Sequence, residues 1–318
     1  MAMTLPRTRA GYVKVRPVGA GSRVAVVAPA SPFDRAEFDR GLAELKRLGF
    51  EPCFDERVFA RRGFRAGDPE LRAAALREAF ARPDVDAIVA VRGGYGSVET
   101  LPFLDADAVR RSRTAFIGYS DVTSIHSFVG AAAGLVTIHG PMIEGRLAAG
   151  PEAYDADSFT RVLAGQMLGE LRCDGLDALH RGDARGPLVG GTLTQLLASF
   201  GTPYEFRPPP AHVLFLDEVG ERPYRLHRML TQWRLSGRLR NAVGIVFGQL
   251  PRCDEAGGVP TAREAIADAL DGFPGPVLVG FPSGHTTSPL VTLPFGVEAR
   301  VVGHGDAPCL VIEESAAE

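Results

Sequence analysis

The chain has 318 residues, 45% of them hydrophobic and 23% charged, the balance of a globular protein with room for about two domains. Its 35 Lys and Arg against 38 Asp and Glu leave a net charge of -3, and no basic run is present that could track a phosphate backbone, which argues against a nucleic-acid partner. The N-terminal stretch lacks the apolar core of a leader and no apolar run approaches the roughly 20 residues that span a bilayer, so the expectation is a cytoplasmic protein with no membrane contact.

From Arg23 the chain reads RVAVVAPAS, a continuous apolar run suited to a strand covered on both faces. Phe38, Leu42, Leu45 and Leu48 then recur at helical spacing between Asp34 and a closing Gly49. The alternation continues through FEPCF, a helix from Asp68 to Phe80, the strand from Asp86 to Val91, the strand TAFIGY, a helix from about Asp121, and LVTIH. Successive βα units of this kind predict a doubly wound parallel sheet domain over residues 1–148.

Residues 149–186 mix Gly, Asp and Arg without a period and read as a connection. A second, smaller, β-rich mixed domain is expected over 187–318. Its elements are a helix from Thr192 to Phe200, the strand HVLFLD, a helix from Tyr224 to Leu235, the strand AVGIVFG, a helix from Thr261 to Leu270, and short strands rich in Val, Gly and Pro. Trp233 and Leu235 fall on one of these helices, in the core or at an interface. Cys53, Cys173, Cys253 and Cys309 are scattered with no C-x-x-C pair, so reduced thiols are expected and neither a metal nor a cofactor is signalled.

In an open α/β sheet the loops at the carboxyl ends of the strands carry function. Four stand out here: APAS, RGGYGS, GYSD and HGPM. Ser120, in GYSD, lies where a strand turns into a helix, a geometry that can expose a hydroxyl beside free helical N–H groups. The match to G-x-S-x-G is incomplete, because Val122 takes the last glycine position, and serine is also a favoured helix cap. In RGGYGS, Gly93, Gly94 and Gly96 permit close backbone approach to an anion, or a plain tight turn.

A nucleophilic serine needs a base and an acid to orient it. His285 sits in a loop rich in Gly, Pro and Ser, where an ordered imidazole is easiest to explain by function. His227 lies on a helical pattern, and His139 could line the same crevice or make a structural hydrogen bond. Asp217 and Glu218 end an apolar strand, and strand alternation lets only one of them face a given site.

The order RGGYG, GYSD, HGPM, GGTLTQLLASFGTPY, LFLDEVGERPYRLHRML and a late GH resembles the LD-carboxypeptidase family of serine peptidases, over roughly Arg23 to Val301. The resemblance implies a triad with Ser120 as nucleophile, His285 as base and Asp217 as acid. This chain reads Leu216, Asp217, Glu218 where the family usually reads L-E-D, so the acid is Asp217, one methylene shorter, or Glu218 after a local shift. It further implies an oxyanion hole from the backbone N–H groups of Gly94 and Asp121. The substrate would be a small muropeptide, and the partner of a homodimer would be a second copy.

Arg92 is a candidate for binding the terminal carboxylate, because a guanidinium pairs with one bidentately. Two alternatives stand beside this: hydrolysis of a peptidyl or aminoacyl nucleotide antibiotic of the microcin C type, and a module that binds a peptide or sugar without cleaving it.

Overall fold

The computed structural model describes residues 11–304 and 307–318; residues 1–10, the start of the stretch read above for a leader, lie outside them. Five of the six strands of the first sheet are parallel: β1 (Arg23–Val27), β2 (Glu51–Cys53), β3 (Ala87–Ala90), β4 (Ala115–Gly118) and β5 (Thr137–His139). Helices Arg35–Arg47 and Pro69–Ala81 supply crossovers between them. Asp34 caps the first of these, its carboxylate accepting from the Glu37 amide at 2.9 Å. All four residues of β3 and of β4 are buried, as both faces of the sheet are covered.

The rest of the chain supplies β6 (Gly169–Leu171), β7 (Asp177–His180), β8 (Asp183–Thr192), β9 (His212–Asp217), β10 (Ala242–Gly248), β11 (Val277–Phe281), β12 (Leu293–Phe295), β13 (Glu298–Val302) and β14 (Cys309–Ile312). The second sheet runs β6-β14-β13-β8-β9-β10-β11-β7, with β8 to β11 parallel and the flanking pairs antiparallel. The first runs β12-β5-β4-β3-β1-β2.

Three features differ from the expected organisation. Residues 149–186 are more than a connection: they hold the helix Ala156–Leu163 and both outer strands of the second sheet, β6 and β7. The long strand β8 lacked an apolar signature because its GPLVGGT segment is rich in glycine. At Gly190 an added Cβ would lie 1.8 Å from the Phe215 carbonyl oxygen, so close strand packing demands the missing side chain. Finally, β12 returns from the C-terminal part of the chain to pair antiparallel with β5, so the first sheet is completed by a strand from beyond the second sheet's parallel core.

One apolar core accordingly runs from β1 through Phe116 and Ile138 to Phe215 and Phe281 of the second sheet. A second packs Trp233 of helix Pro223–Leu235 against Phe200, Phe206 and the outer face of β9 and β10. Trp233 is 1% exposed and is core, whereas Leu235 is 79% exposed. No helix among the described residues is long and apolar enough to cross a membrane.

Candidate active site

At the carboxyl end of β4 the chain turns through Tyr119 into a short helical turn, Ser120–Val122, followed by helix Thr123–Ser127. Ser120 sits at φ 68°, in the left-handed region that a serine enters at a cost of roughly 1–2 kcal/mol. Two glycines make that turn fit. A Cβ on Gly118 would lie 2.7 Å from Val122 Cγ2, and one on Gly93 would lie 2.8 Å from Ser120 Cβ and 3.1 Å from the Asp121 amide nitrogen. The glycine loop therefore lies directly against the serine, and Val122 is accommodated because Gly118 leaves it room.

That loop is tied down at several points. The Ser97 amide donates to Asp121 Oδ2 at 2.8 Å and the Ser97 hydroxyl to the Asp121 carbonyl at 2.6 Å. Burial raises the pKa of the Asp121 carboxyl, while the bonds from Ser97 oppose the rise. Arg72, fully buried, donates to the carbonyls of Pro29 at 2.7 Å and Gly96 at 2.6 Å and pairs with Glu99 at 2.5 Å. The Ser31 hydroxyl accepts from the Tyr95 amide at 3.0 Å. It lies where a Cβ on Gly94 would come within 2.4 Å, and Gly94 itself has φ +99°.

The other half comes from the second sheet. Strands β8, β9 and β11 are parallel, so their carboxyl ends lie on one side, facing the end of β4. Asp217 ends β9 and is wholly buried. Its Oδ2 accepts twice from His285, from Nδ1 at 2.6 Å and from the backbone amide at 2.9 Å. His285 Nε2 lies 3.1 Å from Ser120 Oγ. The other oxygen, Oδ1, accepts from Thr192 Oγ1 at 2.8 Å, and the Thr192 amide donates to Thr123 Oγ1 at 3.1 Å, in the helix that Ser120 begins.

Electrostatics fix the tautomer. Burial alone would raise the Asp217 pKa, but the charge of His285 and the bonds from it outweigh burial and hold the carboxyl at about 2. Burial likewise pulls the His285 imidazole down, and the adjoining Asp217 charge and hydrogen bond turn the result upward. An ionised Asp217 requires the proton on Nδ1, which leaves Nε2 free to accept from the Ser120 hydroxyl.

Glu218 faces away, as strand alternation requires. Its Oε1 accepts from the Thr194 amide at 2.6 Å and its Oε2 from its neighbour Val219 at 3.1 Å, and burial raises its pKa. Arg92 is directed at Glu144, Nε to Oε2 at 3.1 Å, with its side chain 40% exposed. His227 pairs with Asp268 on the surface at 2.9 Å. His139 is fully buried behind the site, edge-on to Phe215 and tilted against Phe295, and among the described residues neither of its ring nitrogens has a hydrogen-bond partner, contrary to the structural bond considered for it.

Three residues of this arrangement had no role assigned to them from the sequence. Thr192 ends a strand that was not legible, and Arg72 sits on an ordinary helical pattern. Gly284, the glycine of the late GH, precedes His285 at φ +71° and packs on Asp217.

Two family models match the chain: the LD-carboxypeptidase N-terminal domain over residues 24–140 and the LD-carboxypeptidase C-terminal domain over residues 185–301. The chain is 32% identical to the probable murein peptide carboxypeptidase of Bacillus subtilis (strain 168), covering 91% of each protein. It is 26% identical to the microcin C7 self-immunity protein MccF of Escherichia coli, over 86% of this chain and 88% of that protein. The fold superimposes on the muramoyltetrapeptide carboxypeptidase from Oxalobacter formigenes with a TM-score of 0.80 at 27% identity, over 92% of this chain and 99% of the other.

Proposed function

This chain belongs to the LD-carboxypeptidase family, and from that premise we propose that it is a serine peptidase releasing the terminal D-alanine of muropeptide tetrapeptides in cytoplasmic peptidoglycan recycling. The observation that carries the reading is the continuous chain of contacts from Asp217 through His285 to Ser120, assembled from two sheets. A module that only bound its ligand would have no use for a strained serine aligned on a buried imidazole and carboxylate.

In the proposed mechanism His285 Nε2 takes the Ser120 proton as Oγ attacks the peptide carbonyl carbon. The amides of Gly94 and Asp121 receive the oxyanion at the start of the helical turn. Asp217 holds the imidazole in its tautomer and stabilises the imidazolium. Collapse breaks the C–N bond, the imidazolium proton goes to the departing D-alanine amine, and a water deprotonated by His285 then hydrolyses the acyl-enzyme. Arg92 binds the terminal carboxylate, exchanging part of its pairing with Glu144 for the substrate; on that role Arg92→Ala raises KM about 10- to 100-fold with kcat little changed.

The likeness to MccF supports a second reading, hydrolysis of an aminoacyl nucleotide antibiotic. A nucleobase is commonly held by stacking, and Trp233, the single tryptophan, is buried in the core and unavailable for that. Incubating the protein with a muramoyl tetrapeptide and, separately, with an aminoacyl sulfamoyl adenosine tests the two. The preferred reading predicts turnover of the tetrapeptide; turnover of the nucleoside alone would replace it with the second.

A further inference from the structure

The segment after His285 reads Thr286, Thr287, Ser288, three hydroxyl residues in a row, and their partners converge on one side chain. Gln249 follows β10 directly. Its Oε1 accepts from the Thr286 hydroxyl, from the Thr287 amide at 3.0 Å, from the Thr287 hydroxyl at 3.1 Å and from the Ser288 amide at 3.3 Å. Its Nε2 donates to Ser288 Oγ at 2.8 Å. The next residue, Leu250, is buried and held at φ 55°, so the backbone that presents Gln249 has little freedom.

A loop with no regular structure must find partners for its backbone groups outside itself. Here the amides go to Gln249, while Arg146 of the first-sheet side takes the carbonyls of Thr286 at 2.5 Å and Ser288 at 3.3 Å. The imidazole of His285 has to meet Asp217 on one side and Ser120 on the other, and the two belong to different sheets. Its loop must therefore be fixed relative to both.

We propose that Gln249 is a positioning residue for His285: its side-chain amide, together with Arg146, clamps residues 286–288 and so fixes the imidazole between Asp217 and Ser120. The inference rests on the reading of Ser120, His285 and Asp217 as a catalytic triad. The polar atoms of Gln249 are taken up by this loop, which makes it a support for the base and sets it apart from groups that contact substrate.

The test compares Gln249→Met, which keeps the length and removes every bond, with Gln249→Glu, which keeps the acceptor for all four donors. Two readouts are used: kcat and KM for tetrapeptide hydrolysis, and the downfield proton NMR signal of the short His285–Asp217 hydrogen bond, assigned by its loss in His285→Ala. Misplacing a catalytic group by about 1 Å can cost roughly 100-fold. Gln249→Met is expected to lose about 10- to 100-fold in kcat with KM within about twofold, and to lose or broaden the downfield signal; Gln249→Glu is expected to stay within about threefold and keep it.

Wild-type kcat in Gln249→Met, equal losses in the two variants, or a loss confined to KM would overturn the proposal. If wild type turns over no tetrapeptide, the functional reading fails but the NMR comparison still decides the clamp: an unchanged signal in Gln249→Met refutes it. Should Gln249→Met not fold, Thr286→Val, which deletes the bond to Gln249 Oε1 and the one the Thr286 hydroxyl accepts from the Ser288 amide, carries the test with a smaller expected loss of kcat, and an unchanged kcat and signal there refute the clamp.

Discussion

Gly284 and Asp217 are packed so closely that a Cβ on the glycine would lie 2.4 Å from carboxylate Oδ2, the oxygen that receives both bonds from His285. The glycine also sits at φ +71°, where a side chain is strained whatever the space. Gly284→Ala should therefore push the carboxylate out of line with the imidazole. The expected result is a protein that folds, with a thermal midpoint lowered by the strain of about 1–2 kcal/mol, and a kcat reduced about 100-fold. Calorimetry and steady-state kinetics on the same preparation check both parts.

The two adjacent acids should separate cleanly in mutagenesis. Asp217→Asn leaves the shape of the site intact but offers His285 a group that favours the wrong tautomer, and kcat should fall by about 10⁴-fold. Glu218→Gln keeps the acceptor for the Thr194 amide and lies on the other face of the strand, so its loss should stay below about tenfold. Kinetics of the two variants at one pH decide this.

The pH–rate profile follows from the sign of the His285 shift. The base must be neutral to accept the serine proton, and its pKa is raised, so kcat/KM should climb with pH through a midpoint above the ordinary imidazole value of about 6.5. In Asp217→Asn the main upward pull is gone, leaving burial and the Arg146 charge against the weaker pull of Glu218, so the residual activity should show its midpoint displaced to the acid side. A midpoint unchanged by the substitution would contradict the pairing.

Three buried histidines, His126, His139 and His212, make the fold acid-sensitive, the last held at about 4 by burial. Burial lowers His139 to about 4, and burial together with the nearby His139 lowers His126 to about 3. Below about pH 6.5 the unfolded chain binds protons that the native state refuses, so their contribution to stability, full above that pH, is lost as pH falls through the folded values. Each group changes stability by at most about 1.4 kcal/mol per pH unit in that window. Urea unfolding of wild type at pH 7 and pH 5 should show a loss that is smaller in His139→Leu, which also removes a buried side chain whose ring nitrogens find no partner among the described residues.

The sequence exposed the parts of this protein that repeat a simple physical pattern. Apolar runs such as DAIVAV and HVLFLD became β3 and β9, and the capping of the helix from Arg35 by Asp34 could be anticipated from the residue type. Ser120, the adjacent Asp217 and Glu218, and His285 stood out at strand ends or in a loop, but their joint role as a triad came from the resemblance carried by the ordered motifs. What escaped was whatever depends on contacts between segments far apart in sequence. The strand β8 hid behind glycines that exist to let β9 approach, and β12 is only three residues long and gains its place from pairing with β5. Thr192 matters through its bonds to Asp217 and Thr123, 25 and 69 residues away, which no local pattern records.

On the proposed reading Ser120, activated through His285, opens the bond to the terminal D-alanine. The most direct test is mass-spectrometric detection of D-alanine release from a muramoyl tetrapeptide by wild type and by Ser120→Ala, both confirmed folded. Wild type should release D-alanine and the variant none. Release by both proteins, or by neither, would contradict that reading.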